Sequence, residues 1–204
     1  MSKTKISITT KTGDGGESGL ANGMRFSKSH PIFAAIGDLD ELNSWLGTVI
    51  AEATGQKKEK QYFSQLQMLR KMQQAIYVIS AELVGASYSA KANRKMVRVD
   101  DSLLQELENS AVVLQKDLQE NWHQKFLYPG GVKLAAFCDL ARTVCRRTER
   151  SLVELTENES QLEGIKVRPK VLAIINRFSD YLYLLRCFFN QQEGYEELQF
   201  EVEG

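Results

Sequence analysis

Three cysteines, three prolines and two histidines are all that 204 residues contain. Cys138, Cys145 and Cys187 are odd in number, form no Cys-x-x-Cys and have no histidine at ligand spacing. That pattern argues against a disulfide framework and against a zinc site. Charge of one sign is lacking too: 26 basic residues face 26 acidic ones, for a formal net charge of zero. Neither a nucleic acid nor an anionic membrane surface is expected as a partner. No apolar run is long enough to span a bilayer. The opening "MSKTKISITT" has no apolar stretch of the kind a signal peptide needs. A reducing cytoplasm is the expected setting. The "KKEK" run at Lys57–Lys60 is short and mixed in sign, and reads as a solvated helix start.

What is present is apolar periodicity. Hydrophobic residues make up 43% of the chain, enough for the core of one domain. Residues 1–10 alternate as a short strand or extended arm, and 11–30 read as a polar, glycine-rich loop. Pro31 suits a first helical turn. Three- and four-residue apolar spacing then predicts helices from Ile32 through "FAAIGDLDELNSWLGTVIAEA", over about 61–86, 101–120, 132–156 and 170–191. Residues 87–98 read as a loop, and "FLYPGG" at Phe126–Gly131 breaks the chain. The last residues, "YEELQFEVEG", read as extended. The expectation is an all-α, single-domain five-helix bundle over 1–204, with an arm at 1–30, the bundle at about 31–191 and a tail at about 192–204.

At 100° per residue, the fourth helix puts Leu140, Val144, Thr148, Leu152 and Leu155 on one side. Asp139, Arg142, Arg146, Glu149 and Arg150 fall on the other. The fifth helix gathers Ile174, Ile175, Phe178, Leu182, Leu185 and Phe189 on one face, and Asn176, Asp180, Tyr183 and Cys187 opposite. On the first helix Gly37, Asp40, Ser44 and Gly47 form a narrow small-residue face, open to close approach. Such polar faces are commonly just solvated. Four arginines, at 142, 146, 147 and 150, are nonetheless unlike the usual Lys/Glu surface, and their planar forks suit phosphates or interface carboxylates.

The stretch "TKTGDGG" at Thr10–Gly16 is poor helix and poor strand. Its glycines let backbone N–H groups turn toward an anion, with Lys11 and Lys28 to neutralise it. A plain flexible arm is the other reading. No GxxxxGK[ST] occurs, GxGxxG fails at Ser18, and no βαβ unit follows, so neither a Walker loop nor a dinucleotide fingerprint is present.

"TKTGDGGESGL…MRFSK", "GDLDELNSWLG", "FLYPGG", "ARTVCRRTER" and "NRFSDYLYLLR" occur in this order. Together they resemble the PduO-type ATP:cob(I)alamin adenosyltransferases, over about residues 5–190. The resemblance implies a five-helix bundle, a homotrimer, and an active site between adjacent subunits. It implies ATP and a cobalamin or other corrinoid as substrates, with Mg2+ accompanying the ATP. It also implies a reductase and an adenosylcobalamin-dependent acceptor enzyme as partners.

Carried over residue by residue, Thr10, Lys11, Thr12, Gly13, Ser18 and Lys28 would contact ATP from one subunit. Arg146, Arg147, Glu149, Arg150 and Asn176 would contact it from the neighbour. Asp40 and Arg142 match a pair bridging the subunit boundary. Phe126 matches the aromatic residue that faces the corrin and displaces its lower ligand; without the resemblance it reads as core beside the turn. The chain departs from the family's usual residues at Gly15, at Glu17-Ser18-Gly19, at Asp38 and at Asp139.

The implied reaction is attack by cobalt(I) on the 5′ carbon of ATP. The cofactor's cobalt is the nucleophile, so no Ser, Cys or His nucleophile is needed. His30 and His123 lie outside the motifs, His123 as a surface loop residue, and the cysteines read as packing residues. A non-catalytic trimer that binds ATP or cobalamin as a sensor or delivery protein is the alternative.

Overall fold

The computed structural model describes residues 9, 11–85, 98–118, 126–157 and 166–200. Thr10, His123 and most of the loop expected at 87–98 lie outside the described residues. Five helices carry the fold: α1 (Pro31–Ala53), α2 (Phe63–Leu83), α3 (Ser102–Asp117), α4 (Lys133–Glu157) and α5 (Pro169–Gln192). Each begins and ends for a local reason. Pro31 opens α1 with its fixed φ, and the His30 Nδ1 accepts the Ile32 N–H at 3.2 Å. Gly55 and Gly85, both at positive φ, follow the ends of α1 and α2. The Asp100 carboxylate accepts the Ser102 N–H at 2.9 Å ahead of α3, and that bond holds its pKa below the usual value.

In space the helices run α2, α1, α4, α5, α3, each packed on the next, and α2 also touches α5. One continuous core joins them, from Leu39, Leu42 and Leu46 on α1 to Phe178, Leu182 and Phe189 on α5. The second half of α5 is buried almost all round, as a helix at the centre of a bundle must be.

Three sequence expectations change. The stretch 11–30 is not all loop: β1 (Glu17–Gly19) and β2 (Arg25–Ser27) pair antiparallel, with Ser18 opposite Phe26. Leu20, at the tip, is buried against the bundle and anchors the hairpin. On α4, Leu140 is exposed while Asp139 is buried at 7% relative exposure. The chain at Tyr128–Gly131 and the side chain of Arg186 cover that flank, so the buried sector is wider than the apolar one. On α5, Cys187 is buried rather than lying on a polar face.

Candidate functional site

The candidate residues fall into three groups. The first is built on the hairpin. Lys28 N–H donates to the Gly16 carbonyl at 2.8 Å, which folds the 11–16 loop back over β2. A Cβ on Gly13 would stand 3.2 Å from the Lys28 ammonium, so the absence of a side chain lets the two approach. Arg25 donates to the Thr12 carbonyl at 3.0 Å. Lys11 holds the left-handed φ of 58°, uncommon for a residue with a side chain. Lys11, Thr12, Gly13 and Lys28 thus share one small loop, with Ser18 on the adjoining strand. Glu17 pairs with Arg25 at 3.6 Å, so its charge is answered locally.

The second group is the arginine face of α4. Arg142 and Arg146 line an open groove of about 470 Å³ between α3, α4 and α5, with Arg177, Asp180, Tyr183 and Val112 on its other walls. The Arg142 guanidinium lies 6.0 Å from the centre of the Tyr183 ring, within cation–π reach. Burial pushes the Tyr183 hydroxyl up to about 12, so it stays a neutral donor. The Arg142 Nε is buried without a hydrogen-bond partner, and its nearest acid, Asp139, is 3.9 Å away. Asn176 donates to the Glu149 carboxylate at 2.9 Å, joining α5 to α4.

Arg147 and Arg150 are differently employed. Arg147 donates to Asp38 at 2.9 Å and also pairs with Glu41, tying α4 to α1. Asp38 further accepts from Ser151 at 2.6 Å. The acidic residue at 38 is therefore the anchor of Arg147. Arg150 lies over its own helix, donating to the Arg146 carbonyl at 3.1 Å. Asp40 is exposed on the small-residue face of α1 and does not meet Arg142 within one chain.

The third group is Phe126, whose side chain is 84% exposed. It is not core, so the packing reading fails. Arg186 is the residue that sequence reasoning passed over. It is 1% exposed and reaches Asp139 at 3.2 Å, while Asp139 accepts the Gly130 N–H at 2.9 Å. The signal was an arginine inside the apolar run "YLYLLRCFF", since arginine is almost never fully buried unless paired. Asp139 thus joins the second group to the third, touching Arg142 on one side and the Phe126–Gly131 segment on the other.

The cysteines offer no nucleophile. All three are free and buried, and burial pushes the Cys138 and Cys145 thiols far above their ordinary range. Among the described residues, no cluster of three or more His, Cys, Asp or Glu side chains could hold a metal ion. No helix among them is long and apolar enough to cross a membrane.

The described residues thus form a five-helix bundle with an arginine-lined groove beside α4 and a glycine loop that carries Lys11 and Lys28. Residues 8–189 match the family described as cobalamin adenosyltransferase, and the chain belongs to that family of corrinoid adenosyltransferases. It is 31% identical over 196 residues to the cobalamin adenosyltransferase of Cupriavidus metallidurans, spanning 96% of this chain and 95% of that one. The corrinoid adenosyltransferase of Bacillus subtilis is 30% identical over 198 residues, spanning 96% and 93%. Among solved structures, a variant of the PduO-type ATP:corrinoid adenosyltransferase from Lactobacillus reuteri, complexed with cobalamin and ATP, superposes with a TM-score of 0.79. It is 26% identical and covers 96% of this chain and 100% of that one.

Proposed function

We propose that this chain moves the 5′-deoxyadenosyl group of ATP onto the cobalt(I) of a corrinoid. The cobalt–carbon bond forms as the C5′–O bond breaks, and triphosphate departs with the bonding pair. The observation that carries the reading is the groove beside α4, where Arg142 holds a buried, unpartnered Nε next to an exposed Arg146. A buried donor that has a carboxylate at 3.9 Å but no hydrogen bond is costly alone and is open to a further acceptor.

Asp40 is exposed and makes no ion pair with Arg142 within one chain, so in this reading a neighbouring copy completes the site. The neighbour's Asp40 would meet Arg142, and its hairpin loop would bring Lys11, Thr12, Gly13, Ser18 and Lys28 to the triphosphate. Thr10 would join them. Arg146, Arg150, Glu149 and Asn176 bind from the facing subunit, with Arg147 held in place by Asp38. A homotrimer is the assembly this arrangement serves. Arg146 and the lysines stabilise charge on the leaving triphosphate. Mg2+ is usually held by substrate phosphates with only one or two carboxylates, so the fold needs no dedicated cage for it. Phe126 presents an apolar ring that keeps water and the lower ligand from the cobalt. A reductase supplies cobalt(I), an acceptor enzyme receives the product, and both fit a cytoplasmic setting.

Of the acids that favour a sensor or delivery role, Asp139 is buried against Arg186, and Glu17 lies 3.6 Å from Arg25 on the surface. A sensor or delivery role therefore draws no support from Asp139. The test is anaerobic turnover with reduced corrinoid and Mg-ATP, following adenosylcobalamin and triphosphate together. Equal amounts of both are expected. Tight ATP binding by folded protein with neither product would overturn the assignment in favour of a binding protein.

A further inference from the structure

Phe126 is too exposed for side-chain packing to hold it, so its position depends on its backbone. The chain after α5 supplies that hold. It turns at Gly194, in the left-handed region at φ 69°, and runs back along the Phe126–Gly131 segment. Phe200 N–H donates to the Phe126 carbonyl at 2.7 Å, and Tyr128 N–H donates to the Leu198 carbonyl at 2.9 Å. Leu127 and Gln199 form an antiparallel bridge between these bonds. The Tyr128 and Phe200 rings meet edge to face, 6.0 Å apart.

Beneath this short ladder lies a buried ionic knot. Arg186 pairs with Asp139 at 3.2 Å and with Glu197 at 2.7 Å. Its third nitrogen donates to the Tyr128 carbonyl at 2.7 Å. Asn190, fully buried, donates to the Gly130 carbonyl at 3.1 Å and to Glu197 at 3.0 Å, and accepts the Val132 N–H at 2.9 Å. Gly131, at φ 104°, packs so closely on Asn190 that no Cβ would fit. Both edges of the Phe126 segment are therefore bonded, one to α4 and α5, the other to Leu198–Phe200.

We propose that Tyr195–Phe200 is a strap that sets the position of Phe126 for the corrinoid step, with Glu197 and Arg186 as its positioning residues. The proposal rests on the reading of Phe126 as the wall that faces the corrin. It predicts that the strap affects the corrinoid and leaves ATP alone. Phe200→Pro removes the N–H that donates to the Phe126 carbonyl, and Phe200→Ala keeps that N–H while removing the ring. Glu197→Gln weakens the knot without touching the ladder. Both positions lie outside the helical core.

The experiment compares these variants with Phe126→Ala in steady-state kinetics and in the electron paramagnetic resonance spectrum of bound cob(II)alamin with ATP present. Phe200→Pro is expected to lower kcat by about ten- to a hundredfold, the scale of an ångström misplacement. The four-coordinate cobalt(II) signal should fall with it, while ATP affinity and helical circular dichroism stay unchanged. Glu197→Gln should move the same signals less, and Phe200→Ala least. Wild-type kcat and spectrum in both Phe200→Pro and Glu197→Gln, beside a defective Phe126→Ala, would overturn the strap alone. A silent Phe126→Ala would overturn the reading beneath it, and the strap with it.

Discussion

Replacing Asp139 with asparagine tests whether the knot beside the arginine face is structural. The carboxylate is one of two counter-charges for Arg186, whose side chain is 2% exposed. Removing one partner of a buried pair costs about 3–5 kcal/mol when the survivor is left unpaired. Here Glu197 remains 2.7 Å away, and the asparagine oxygen still accepts the Gly130 N–H. The cost is therefore set lower, at about 2–3 kcal/mol. At roughly 2–4 °C per kcal/mol for a domain of this size, Tm should drop by about 4–12 °C. The assay is thermal unfolding by circular dichroism at one protein concentration, because assembly makes Tm concentration-dependent. Arg186→Met and the double variant complete a mutant cycle, in which the double loses less than the sum of the singles. A coupling energy within about 0.5 kcal/mol of zero is what independent sites give, and it would refute the reasoning. Asp139→His adds a functional arm. If the aspartate repelled substrate rather than braced Arg186, the histidine variant would bind ATP more tightly and turn over faster; a loss of stability and activity is expected instead.

Arg146→Lys keeps the charge and loses the fork, and should lower turnover about tenfold, or roughly 1.4 kcal/mol in the transition state; unchanged kinetics would remove Arg146 from the site. Asp40→Asn should leave the isolated fold alone, because Asp40 is exposed within one chain, but weaken activity and trimer formation. Sedimentation velocity checks this, and a wild-type protein that stays monomeric at micromolar concentration would contradict the shared site. Phe126→Ala, at an 84% exposed position, should change unfolding stability by less than about 0.5 kcal/mol while slowing the step that needs four-coordinate cobalt. A large drop in Tm would mean that the ring packs against another subunit.

The periodicity of the sequence determined the five helices, to within a few residues at each end, because a helix in a bundle must repeat its apolar face every three or four positions. Pro31 and the Pro-Gly-Gly before α4 were legible as breaks, because they act through their own backbone; the turns at Gly55 and Gly85 were not read, and the second helix, expected to reach residue 86, ends at Leu83. The ordered motifs, from "TKTGDGG" to "NRFSDYL", made the family legible. The hairpin at 17–27 was hidden because three-residue strands are too short to show alternation, and the burial of Leu20 at its tip comes from the bundle rather than from any local pattern. The exposure of Leu140 and the burial of Asp139 were hidden for a different reason. A helical wheel knows only its own helix, and what covers Asp139 comes from Gly130, nine positions before it, and Arg186, 47 after it. Arg147 shows the same limit: one of four arginines whose forks suit phosphates or interface carboxylates, it is claimed in the fold by Asp38 and Glu41 of α1. Burying a charge is tolerable only when its counter-charge arrives from elsewhere in the chain. Which charges stay open to substrate was therefore decided by tertiary packing.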